Sequence, residues 1–572
     1  MCSIIGYKGK CNSTEILLNG LRRLEYRGYD SVGMSILSNE KIITKKDIGK
    51  VDEVNTKLNF TELQGNAGIA HTRWATHGGV TANNSHPHLS SDEKISVVHN
   101  GIIENYFEIK KQLENKGLKF LSQTDTEVIP KLIEYFIQIG EDFETAFVKM
   151  LKEIKGTYAI LALNNEGKFC FARECSPLII GIGKEEIFFA SDALAFLDKT
   201  KRIIYLDDGD FGFYDKELLI MNKSGVKDYK IEESNCTLEQ INKENYPHFM
   251  LKEINEQSET IINALNQNKE LIESVRLLIN NSKNIFLLGC GTSYHACLAG
   301  RYYFASKGIN TTTILASEFK SWKNFFKDSI ILALSQSGET ADLLEAVKTA
   351  KENGAKIISI VNVISSTLAR LSNIVIPMNS GPEICVLSTK SFTAQLNILK
   401  LICGLNTTIN SNDILAAIQN NESLAKEIAK EFSKTKDMFV IGREECYPIA
   451  LEGALKIKEV TYIHAEGFAG GELKHGTISL IEEGIPAIVL VSDNNKERIL
   501  SNAIEIKSRG GKIIAIGCED KKEIFDYFFQ IDKNNFDLLS IIPIQLIAYY
   551  LALEKGCDPD KPRNLAKSVT VH

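Results

Sequence analysis

Cys2 and a nearby run of polar residues carry the side chains in this sequence that most readily suggest chemistry. If Met1 is removed, Cys2 has both a thiol and a free α-amine, and an amine with a pKa of about 7.7–8.0 can act as the base for its own thiol. The run 71–78, His-Thr-Arg-Trp-Ala-Thr-His-Gly, places Arg73 among hydroxyl groups, where a guanidinium suits a substrate carboxylate. A cysteine at position two is by itself more often incidental than catalytic, so this interpretation depends on the other segments.

Two further segments supply partners for a reacting amide. The side-chain amide of Asn100 and the unhindered backbone N–H of Gly101 are the two donors that a tetrahedral oxyanion needs. Asp125, in the run Thr-Asp-Thr-Glu at 124–127, offers a carboxylate that can pair with an α-ammonium. Taken singly, Asn100 and Gly101 would be interpreted as a turn and Asp125 as a helix cap. Taken together, the segments predict a site that hydrolyses the amide of an amino acid.

Strands and helices must position these groups, and the first ~225 residues mix both types. Strand-like segments are 3–7, 68–71, 95–99, 158–163, 168–173 and 187–190. Helical periodicity marks 14–24, 106–116 and 125–138, the last with Asp125 as its predicted cap. This mixture predicts an α+β layered domain, and the polar segment that follows, up to about residue 245, is the predicted linker.

The second half of the chain alternates apolar strands with helices, which predicts parallel α/β sheets. It contains an internal repeat, because three apolar runs recur in the same order at a nearly constant offset. The paired runs are 285–289 with 438–442, 331–335 with 487–491, and 356–360 with 512–516. We therefore predict two copies of one doubly wound α/β subdomain.

The two copies differ directly after the second of these runs. Copy one continues with SQSGET at 335–340, whereas copy two continues with SDNNK at 492–496. Hydroxyl groups and a glycine at a strand end that opens a helix can surround a phosphate with donors, whereas Asp493 would repel one. We expect one phosphate site per chain, in copy one.

Length and composition exclude several classes of protein. A chain of 572 residues needs at least two domains, and 44% hydrophobic with 24% charged residues is typical of a folded soluble protein. A net charge of −7 without a basic stripe argues against nucleic acid as a partner. Twelve cysteines without framework spacing, and no secretory signal, predict reduced thiols in the cytoplasm. The apolar stretch 538–553 is shorter than the roughly 20 residues of a bilayer span, so we predict a buried helix and no membrane contact.

At the level of motifs, the first half resembles the class II glutamine amidotransferase domain and the second half resembles paired sugar-isomerase domains. The first resemblance rests on CSIIG at 2–6, RRLEYRGYDS at 22–31, HTRWATHG at 71–78, HNGIIEN at 99–105 and TDTE at 124–127. The second rests on CGTS at 290–293, SQSGET at 335–340, STK at 388–390, GELKHG at 471–476 and PRNLAKSVTV at 562–571. In this order, over essentially the whole chain, the motifs resemble the glutamine:fructose-6-phosphate aminotransferase (isomerising) family.

This resemblance implies an α+β N-terminal-nucleophile glutaminase domain followed by two doubly wound α/β sugar-isomerase (SIS) subdomains. The expected bounds are 1–222 for the glutaminase domain, 223–245 for the linker, 246–410 and 411–556 for the subdomains, and 557–572 for a C-terminal tail over the active site. The implied reaction moves the amide nitrogen of glutamine to fructose 6-phosphate, giving glucosamine 6-phosphate and glutamate. It needs no metal or organic cofactor, and the family implies a homodimer.

For the glutaminase half, the resemblance implies that Cys2 attacks the amide while Asn100 and Gly101 form the oxyanion hole. The residues implied to hold glutamine are Arg73, Thr76, His77, Asp125 and Arg27. Trp74 is implied to gate an ammonia channel, and an apolar gate is physically reasonable because ammonia must travel as neutral NH3.

For the isomerase half, the residues implied to bind the sugar phosphate are Thr292, Ser293, Ser335, Gln336, Ser337, Thr340 and Ser388. Glu459 is implied to move the proton between C1 and C2, a task that needs one carboxylate close to both carbons. Lys456, one helical turn away, is near enough to tune Glu459. His475 is implied to assist ring opening, and Lys567 to form a Schiff base with the open-chain ketone.

Other interpretations of these residues remain. The run 452–459 could be a solvated charged helix face, His475 a packed loop histidine, and 564–571 a frayed tail. A metal at His86, His88 and the histidines of 71–77 is rejected, because no acidic or cysteine ligand has matching spacing.

Other functions also compete with the implied one. The chain could be an isomerase that uses free ammonia or another sugar phosphate, a sugar-phosphate sensor, or a phosphoribosyl-amine synthase. Intact Cys2, Arg73, Asn100 and Asp125 argue against the first, Glu459, His475 and Lys567 against the second, and the repeat against the third. Ser3 and Val32 replace the Gly and Ala usual in the family near the nucleophile.

Overall fold

The computed structural model of the chain describes residues 2–75, 77–234 and 242–571. The chain folds into two compact units. The first unit contains the described residues of Met1–Asn242 and Ala566–His572, and the second is Lys243–Leu565. The expectation for Thr76 therefore lies outside the described residues, as does part of the predicted linker, 235–241.

The first unit is mainly antiparallel β-structure with five α-helices among its described residues. Its strands are β1 (Ser3–Lys8), β2 (Ser31–Ser38), β3 (Lys41–Ile48), β4 (Ala67–Arg73), β5 (His88–Leu89), β6 (Ile95–Ile103), β7 (Gly156–Asn164), β8 (Phe169–Glu174), β9 (Ile179–Ile182), β10 (Ile187–Ala190), β11 (Arg202–Tyr205), β12 (Phe211–Tyr214), β13 (Leu218–Asn222), β14 (Gly225–Val226) and β15 (Glu232–Glu233). Its helices are α1 (Ser13–Leu24), α2 (Val51–Leu58), α3 (Tyr106–Asn115), α4 (Val128–Gln138) and α5 (Phe143–Glu153). The short strands β14 and β15 lie within the segment predicted as a linker.

These strands form two sheets that pack face to face. One has the order β15-β11-β9-β10-β1-β4-β2-β3 and the other β14-β13-β12-β8-β7-β6-β5. Buried side chains from both sheets, among them Ile4, Ile69, Val98 and Leu161, form one apolar cluster between them. Helix α1 packs on the first sheet, and α4 and α5 share a second apolar cluster with β6 and β7. The predicted α+β layered domain is confirmed.

The register of the central strands explains how distant segments meet. In the antiparallel pair β1 and β4, Ser3 lies opposite Thr72. Cys2 precedes β1 and Arg73 ends β4, so the thiol and the guanidinium come to the same end of one sheet. All six strand-like segments predicted in this half are strands in the structure.

The predicted cap of α4 is wrong. The helix begins at Val128 rather than near Asp125, and no side chain caps it. The Asp125 carboxylate instead accepts a hydrogen bond of 2.7 Å from the backbone N–H of Ile103, at the end of β6. The Asp125 carboxylate therefore pairs with the end of β6 and does not cap α4.

The second unit alternates helices with parallel strands. Its strands are β16 (Ile285–Gly289), β17 (Thr312–Leu315), β18 (Ile330–Ser335), β19 (Lys356–Val361), β20 (Ile374–Pro377), β21 (Asp437–Gly442), β22 (His464–Ala469), β23 (Pro486–Val491), β24 (Lys512–Gly517) and β25 (Tyr527–Gln530). Its helices are α6 (Phe249–Asn263), α7 (Lys269–Asn280), α8 (Gly291–Ser306), α9 (Ala341–Glu352), α10 (Thr367–Leu371), α11 (Lys390–Ile402), α12 (Ser411–Phe432), α13 (Cys446–Thr461), α14 (Lys496–Lys507), α15 (Phe536–Leu539) and α16 (Ile541–Glu554).

The predicted repeat is confirmed as two five-stranded parallel sheets with the same strand arrangement. Their orders are β17-β16-β18-β19-β20 and β22-β21-β23-β24-β25. In each sheet the second strand lies on one side of the first strand, and the third strand lies on its other side. This switch point in the strand order falls between β16 and β18 in copy one and between β21 and β23 in copy two. Ligands bind at such switch points in open α/β sheets.

The apolar segment near the C-terminus is a buried helix, as predicted. By length and composition alone, the stretch Lys533–Glu554 could cross a membrane. However, 89% of its most apolar 18-residue segment is buried inside the protein. Within it, α16 packs against α12 and α13 in the largest apolar cluster of the second unit.

Candidate active sites

Cys2 is half-buried at the start of β1 and its sulfur faces the chain that follows β4. The backbone N–H of Trp74 donates to Sγ at 3.3 Å. The next N–H, of Ala75, donates to Asp30 Oδ2 at 2.8 Å. Asp30 thus holds the turn that presents the Trp74 N–H to the thiol.

Asn100 and Gly101 lie beside Cys2, near the end of β6. Asn100 Nδ2 donates to the Cys2 carbonyl at 3.2 Å and to Ser191 Oγ at 2.8 Å. Gly101 has a φ of +133°, and a Cβ there would lie 1.9 Å from the Thr157 carbonyl oxygen. Only glycine fits this position, and its backbone turns away from the regular strand.

Arg73 and Asp125 share one cavity with the nucleophile. The lining of this cavity includes Cys2, Arg73, Gly101 and Asp125. The Arg73 guanidinium donates to the carbonyl oxygens of His77 at 2.5 Å and Gly78 at 3.2 Å. A buried cation and a buried carboxylate in one small cavity suit the two charged groups of a free amino acid.

The thiol needs a base that the nearby histidines do not provide. Burial raises the pKa of the Cys2 thiol, although the Trp74 N–H and the Arg73 charge oppose the shift. Burial lowers the pKa of His71 to about 3 and lowers that of His99. These imidazoles are weak bases, so the α-amine of a processed Cys2 is the better candidate.

The other residues predicted for the glutaminase site differ in whether they line this cavity. Trp74 lines the cavity. His77 contributes its carbonyl to Arg73, and its ring meets Tyr106 edge-on at 5.7 Å. Arg27 is buried and pairs with Asp192 at 3.7 Å, outside the cavity lining.

The predicted phosphate loop follows β18 and leads into α9. Ser335 Oγ accepts from the Gly338 N–H at 2.9 Å, and Ser337 Oγ accepts from the Glu339 N–H at 3.2 Å. Gly338 has a φ of +66°, and a Cβ there would lie 2.1 Å from Ser366 Oγ. Thr340 precedes the first residue of α9, so the loop ends at the positive end of a 12-residue helix. Gln336 contributes its carbonyl, which accepts from the Asn362 N–H at 3.3 Å.

The other predicted sugar contacts lie at neighbouring positions of the same unit. Thr292 and Ser293 begin α8, directly after β16, and so share the switch point with the loop after β18. The buried Gln395 donates to Ser293 Oγ at 3.0 Å. Ser388 is half-buried, just before α11.

A buried charge network joins α8 to α13. Lys456 Nζ lies 3.2 Å from Glu452 Oε1 and 2.9 Å from Glu459 Oε2. Glu452, fully buried, accepts from Thr292 Oγ1 at 2.9 Å and pairs with His295 Nδ1 at 2.8 Å. Burial acts to lower the pKa of Lys456, but the two carboxylates hold it above its ordinary value. Lys456 is therefore a fixed cation beside Glu459.

His475 and Lys567 belong to segments other than α8 and α13. His475 is exposed at the end of the 3₁₀ helix Gly470–His475. Lys567 is half-buried in Ala566–His572, which groups with the first unit, whereas Glu459 belongs to the second.

Two members of these sites were not predicted. Glu452 looks like one end of an exposed charge pair, because Glu and Lys four residues apart are usual on a helix surface. His295 has no motif of its own. The signal that could have found Glu452 is the small Gly453 and Ala454 beside it, which are typical of a packed rather than a solvated helix face.

Comparison with known proteins agrees with this geometry. The glutamine amidotransferase domain model matches residues 71–198, and the SIS domain model matches 278–403 and 431–555. The glutamine–fructose-6-phosphate aminotransferase [isomerizing] of Pyrococcus horikoshii is 44% identical over 599 positions, covering 100% of both chains. The protein of that name from Sulfolobus acidocaldarius is 43% identical over 591 positions, again covering 100% of both. This chain belongs to the glutamine–fructose-6-phosphate aminotransferase (isomerising) family.

A solved structure from the same family also matches part of this chain. The C-terminal domain of glucosamine-fructose-6-phosphate aminotransferase from Francisella tularensis is 32% identical, with a TM-score of 0.49, and covers 56% of this chain and 99% of its own. Family membership makes the chain an enzyme, and the predicted glutaminase domain and two SIS domains are confirmed.

Proposed function

We propose that this chain transfers the amide nitrogen of glutamine to fructose 6-phosphate and isomerises the sugar. The products are glucosamine 6-phosphate and glutamate, and the reaction is the first step of amino-sugar synthesis. The observation that carries the proposal is the cavity that gathers Cys2, Arg73, Gly101 and Asp125 from four separate segments, in a chain that aligns end to end with its relatives.

The glutaminase reaction begins at Cys2. After Met1 is removed, the Cys2 α-amine takes the thiol proton, and Sγ forms a bond to the amide carbon of glutamine. The oxyanion accepts from Asn100 Nδ2 and the Gly101 N–H. The C–N bond breaks, the protonated amine returns its proton to the leaving nitrogen, and water then hydrolyses the thioester to glutamate.

Arg73 and Asp125 hold the amino-acid end of glutamine through its carboxylate and ammonium groups. Thr76, His77 and Arg27 belong to the same proposed set, on the family resemblance. Trp74, which lines the cavity beside Cys2, is the proposed gate of an ammonia channel.

The isomerase reaction uses residues of the second unit and, on the family resemblance, Lys567. The 335–340 loop and the N-terminus of α9 bind the phosphate, because the hydroxyl groups of the loop can donate to it and the positive end of the helix favours an anion. Lys567 forms a Schiff base at C2 of the open-chain sugar, and ammonia displaces it. Glu459 then takes the proton from C1 and returns it at C2, with Lys456 stabilising the carboxylate form.

Several features of this proposal rest on the family alone. They are a homodimer, ring opening by His475, use of that histidine by the neighbouring chain, and a cytoplasmic location. We also propose that the reaction requires no metal or organic cofactor and that nucleic acid and membranes are not partners.

Mass detection of hexosamine phosphate tests the proposal. The purified, Met1-processed protein is incubated with fructose 6-phosphate and amide-¹⁵N glutamine in excess unlabelled ammonium. Labelled glucosamine 6-phosphate is expected, because a protected nitrogen route does not mix with bulk ammonium. Unlabelled product alone would overturn the coupled glutaminase, and no product from folded protein would overturn the assigned substrates.

A further inference from the structure

The orientation of the Asn100 side-chain amide decides whether it can serve an oxyanion. Only Nδ2 can donate to an oxyanion, whereas Oδ1 in the same place would repel it. In the structure Nδ2 points to the Cys2 carbonyl and to Ser191 Oγ, and Oδ1 points to His71 Nε2 at 3.0 Å. The amide therefore presents its donor end to the Cys2 backbone.

The contacts of His71 establish which of its nitrogens carries the proton. Nε2 lies 3.1 Å from the His99 carbonyl oxygen as well as 3.0 Å from Asn100 Oδ1. Both are acceptors, so Nε2 must be the donor. Nδ1 is buried and has no hydrogen-bond partner among the described residues. The ring is fully buried and stacks on His86 with centroids 4.1 Å apart, which fixes its plane.

We propose that His71 is a positioning residue of the glutaminase reaction, whose Nε2–H holds the Asn100 amide with its donor toward the oxyanion. The inference rests on the proposed glutaminase function and assigns His71 no contact with substrate.

The other contacts of Asn100 discriminate less well between the two amide orientations. Ser191 Oγ already accepts from the Ile4 N–H at 2.9 Å, and its own proton is available to donate. Ser191 can thus accept from Nδ2 or donate to Oδ1. The Cys2 carbonyl favours the observed orientation, but at a longer distance of 3.2 Å. A flipped amide would set the Asn100 NH₂ group against the His71 N–H, two buried donors facing each other.

Burial supports this role, because it lowers the pKa of His71 to about 3. The imidazole is therefore neutral near pH 7. A protonated ring would also donate from Nε2, so protonation of His71 would not release the Asn100 amide. We therefore expect that the glutaminase pH profile shows no titration of His71.

Two amide substitutions make a matched test. The amide nitrogen of Gln lies three bonds from Cβ, like His Nε2, whereas that of Asn lies two bonds away, like His Nδ1. We expect His71→Asn to lower glutaminase kcat about 10- to 100-fold. This loss is smaller than the roughly 10²- to 10³-fold fall in kcat on removal of an oxyanion donor, because the donor remains but is less well held. The KM for glutamine should stay within about 2-fold of the wild-type value. His71→Gln should recover most of the kcat. Circular dichroism and thermal unfolding of the same samples, compared with the wild-type chain, check that each variant is folded.

A double-mutant cycle tests whether His71 acts through Asn100. In an Asn100→Ala background, His71→Asn should lower kcat no further, because no amide remains to orient. Equal kcat for His71→Asn and His71→Gln, losses that multiply in the double mutant, or a rise in KM without a fall in kcat would each overturn the inference. A wild-type chain without glutaminase activity would overturn the proposed function, and the inference with it.

Discussion

The two SIS copies have the same sheet and the same strand order, yet their switch points carry different chemistry. In copy one, β18 leads through Ser335, Ser337 and Gly338 into α9. In copy two, β23 leads through Asp493 into α14. A carboxylate at that position disfavours an anion, whereas hydroxyl groups favour one.

The helices that follow the first strand of each copy differ in the same way. Helix α8 of copy one begins with the small polar residues Thr292 and Ser293, whereas α13 of copy two carries Glu452, Lys456 and Glu459. The two helices meet where Thr292 Oγ1 donates to Glu452. On the proposed function, copy one binds the phosphate and copy two supplies the acid–base group. The fold positions the switch points, and a few side chains decide their use.

The largest expected effect is the loss of the acid–base carboxylate in copy two. Glu459→Gln keeps the size and polarity of the side chain but cannot take a proton, so isomerase kcat should fall about 10³-fold, within the range for general acid–base catalysis. Binding of fructose 6-phosphate, measured by calorimetry, should change little, because copy one holds the phosphate. Glu497→Gln, at an exposed position of α14, is the control. A large loss of binding in Glu459→Gln would contradict this division of roles.

The next largest effect concerns stability and its pH dependence at Glu452. Burial acts to raise its pKa, but Lys456 and the bonds from His295 and Thr292 hold it below its ordinary value. A lowered carboxylate pKa stabilises the fold above the unfolded pKa of about 4.3, and this stabilisation is lost as pH falls through the folded pKa.

Glu452→Gln should therefore be less stable than the parent at pH 7, by less than the 3–5 kcal/mol typical of a broken buried pair, because Lys456 keeps Glu459. The difference should narrow as the pH falls below about 4.3. Urea unfolding of the second unit at pH 7 and at acid pH measures it. A difference that is constant with pH would show that the Glu452 charge is not stabilising.

A smaller effect is expected from the phosphate loop of copy one. Gly338→Ala adds a Cβ 2.1 Å from Ser366 Oγ at a φ of +66°, so the loop must shift. We expect the KM for fructose 6-phosphate to rise about 10- to 100-fold, the loss of one or two hydrogen bonds to a charged group. Gly354→Ala is the control, since its φ is +86° and nothing lies within 4 Å of a Cβ there. It should cost stability, about 1–2 kcal/mol, without changing KM.

The sequence predicted the three central strands of each copy, because each is a buried, mainly apolar run of five or six residues, and the repeat follows from those runs. It also predicted the cavity residues, since Cys2, Arg73, Gly101 and Asp125 carry strong motifs. What it could not predict is register. The opposition of Ser3 and Thr72, which brings Cys2 to Arg73, depends on pairing between segments almost 70 residues apart.

The two failures have a common physical cause, competition between partners that only the folded chain reveals. Asp125 is a plausible helix cap by position, but the Ile103 N–H is available at the end of β6. Glu452 is a plausible surface residue by spacing, but α8 buries it. Local patterns give each acceptor several possible donors, and tertiary packing selects one.

The smallest expected effect compares single side chains of the two copies directly. Ser337→Ala removes one phosphate donor from copy one and should raise the KM for fructose 6-phosphate about 10-fold, as for a hydrogen bond to a charged group. Asp493→Ala removes the carboxylate from the corresponding place in copy two, where its side chain is exposed, and should leave KM within about 2-fold. Steady-state kinetics at saturating glutamine measures both. If Asp493→Ala lowered KM as strongly as Ser337→Ala raised it, copy two would be an inhibited phosphate site, and the division between the copies would be one of degree.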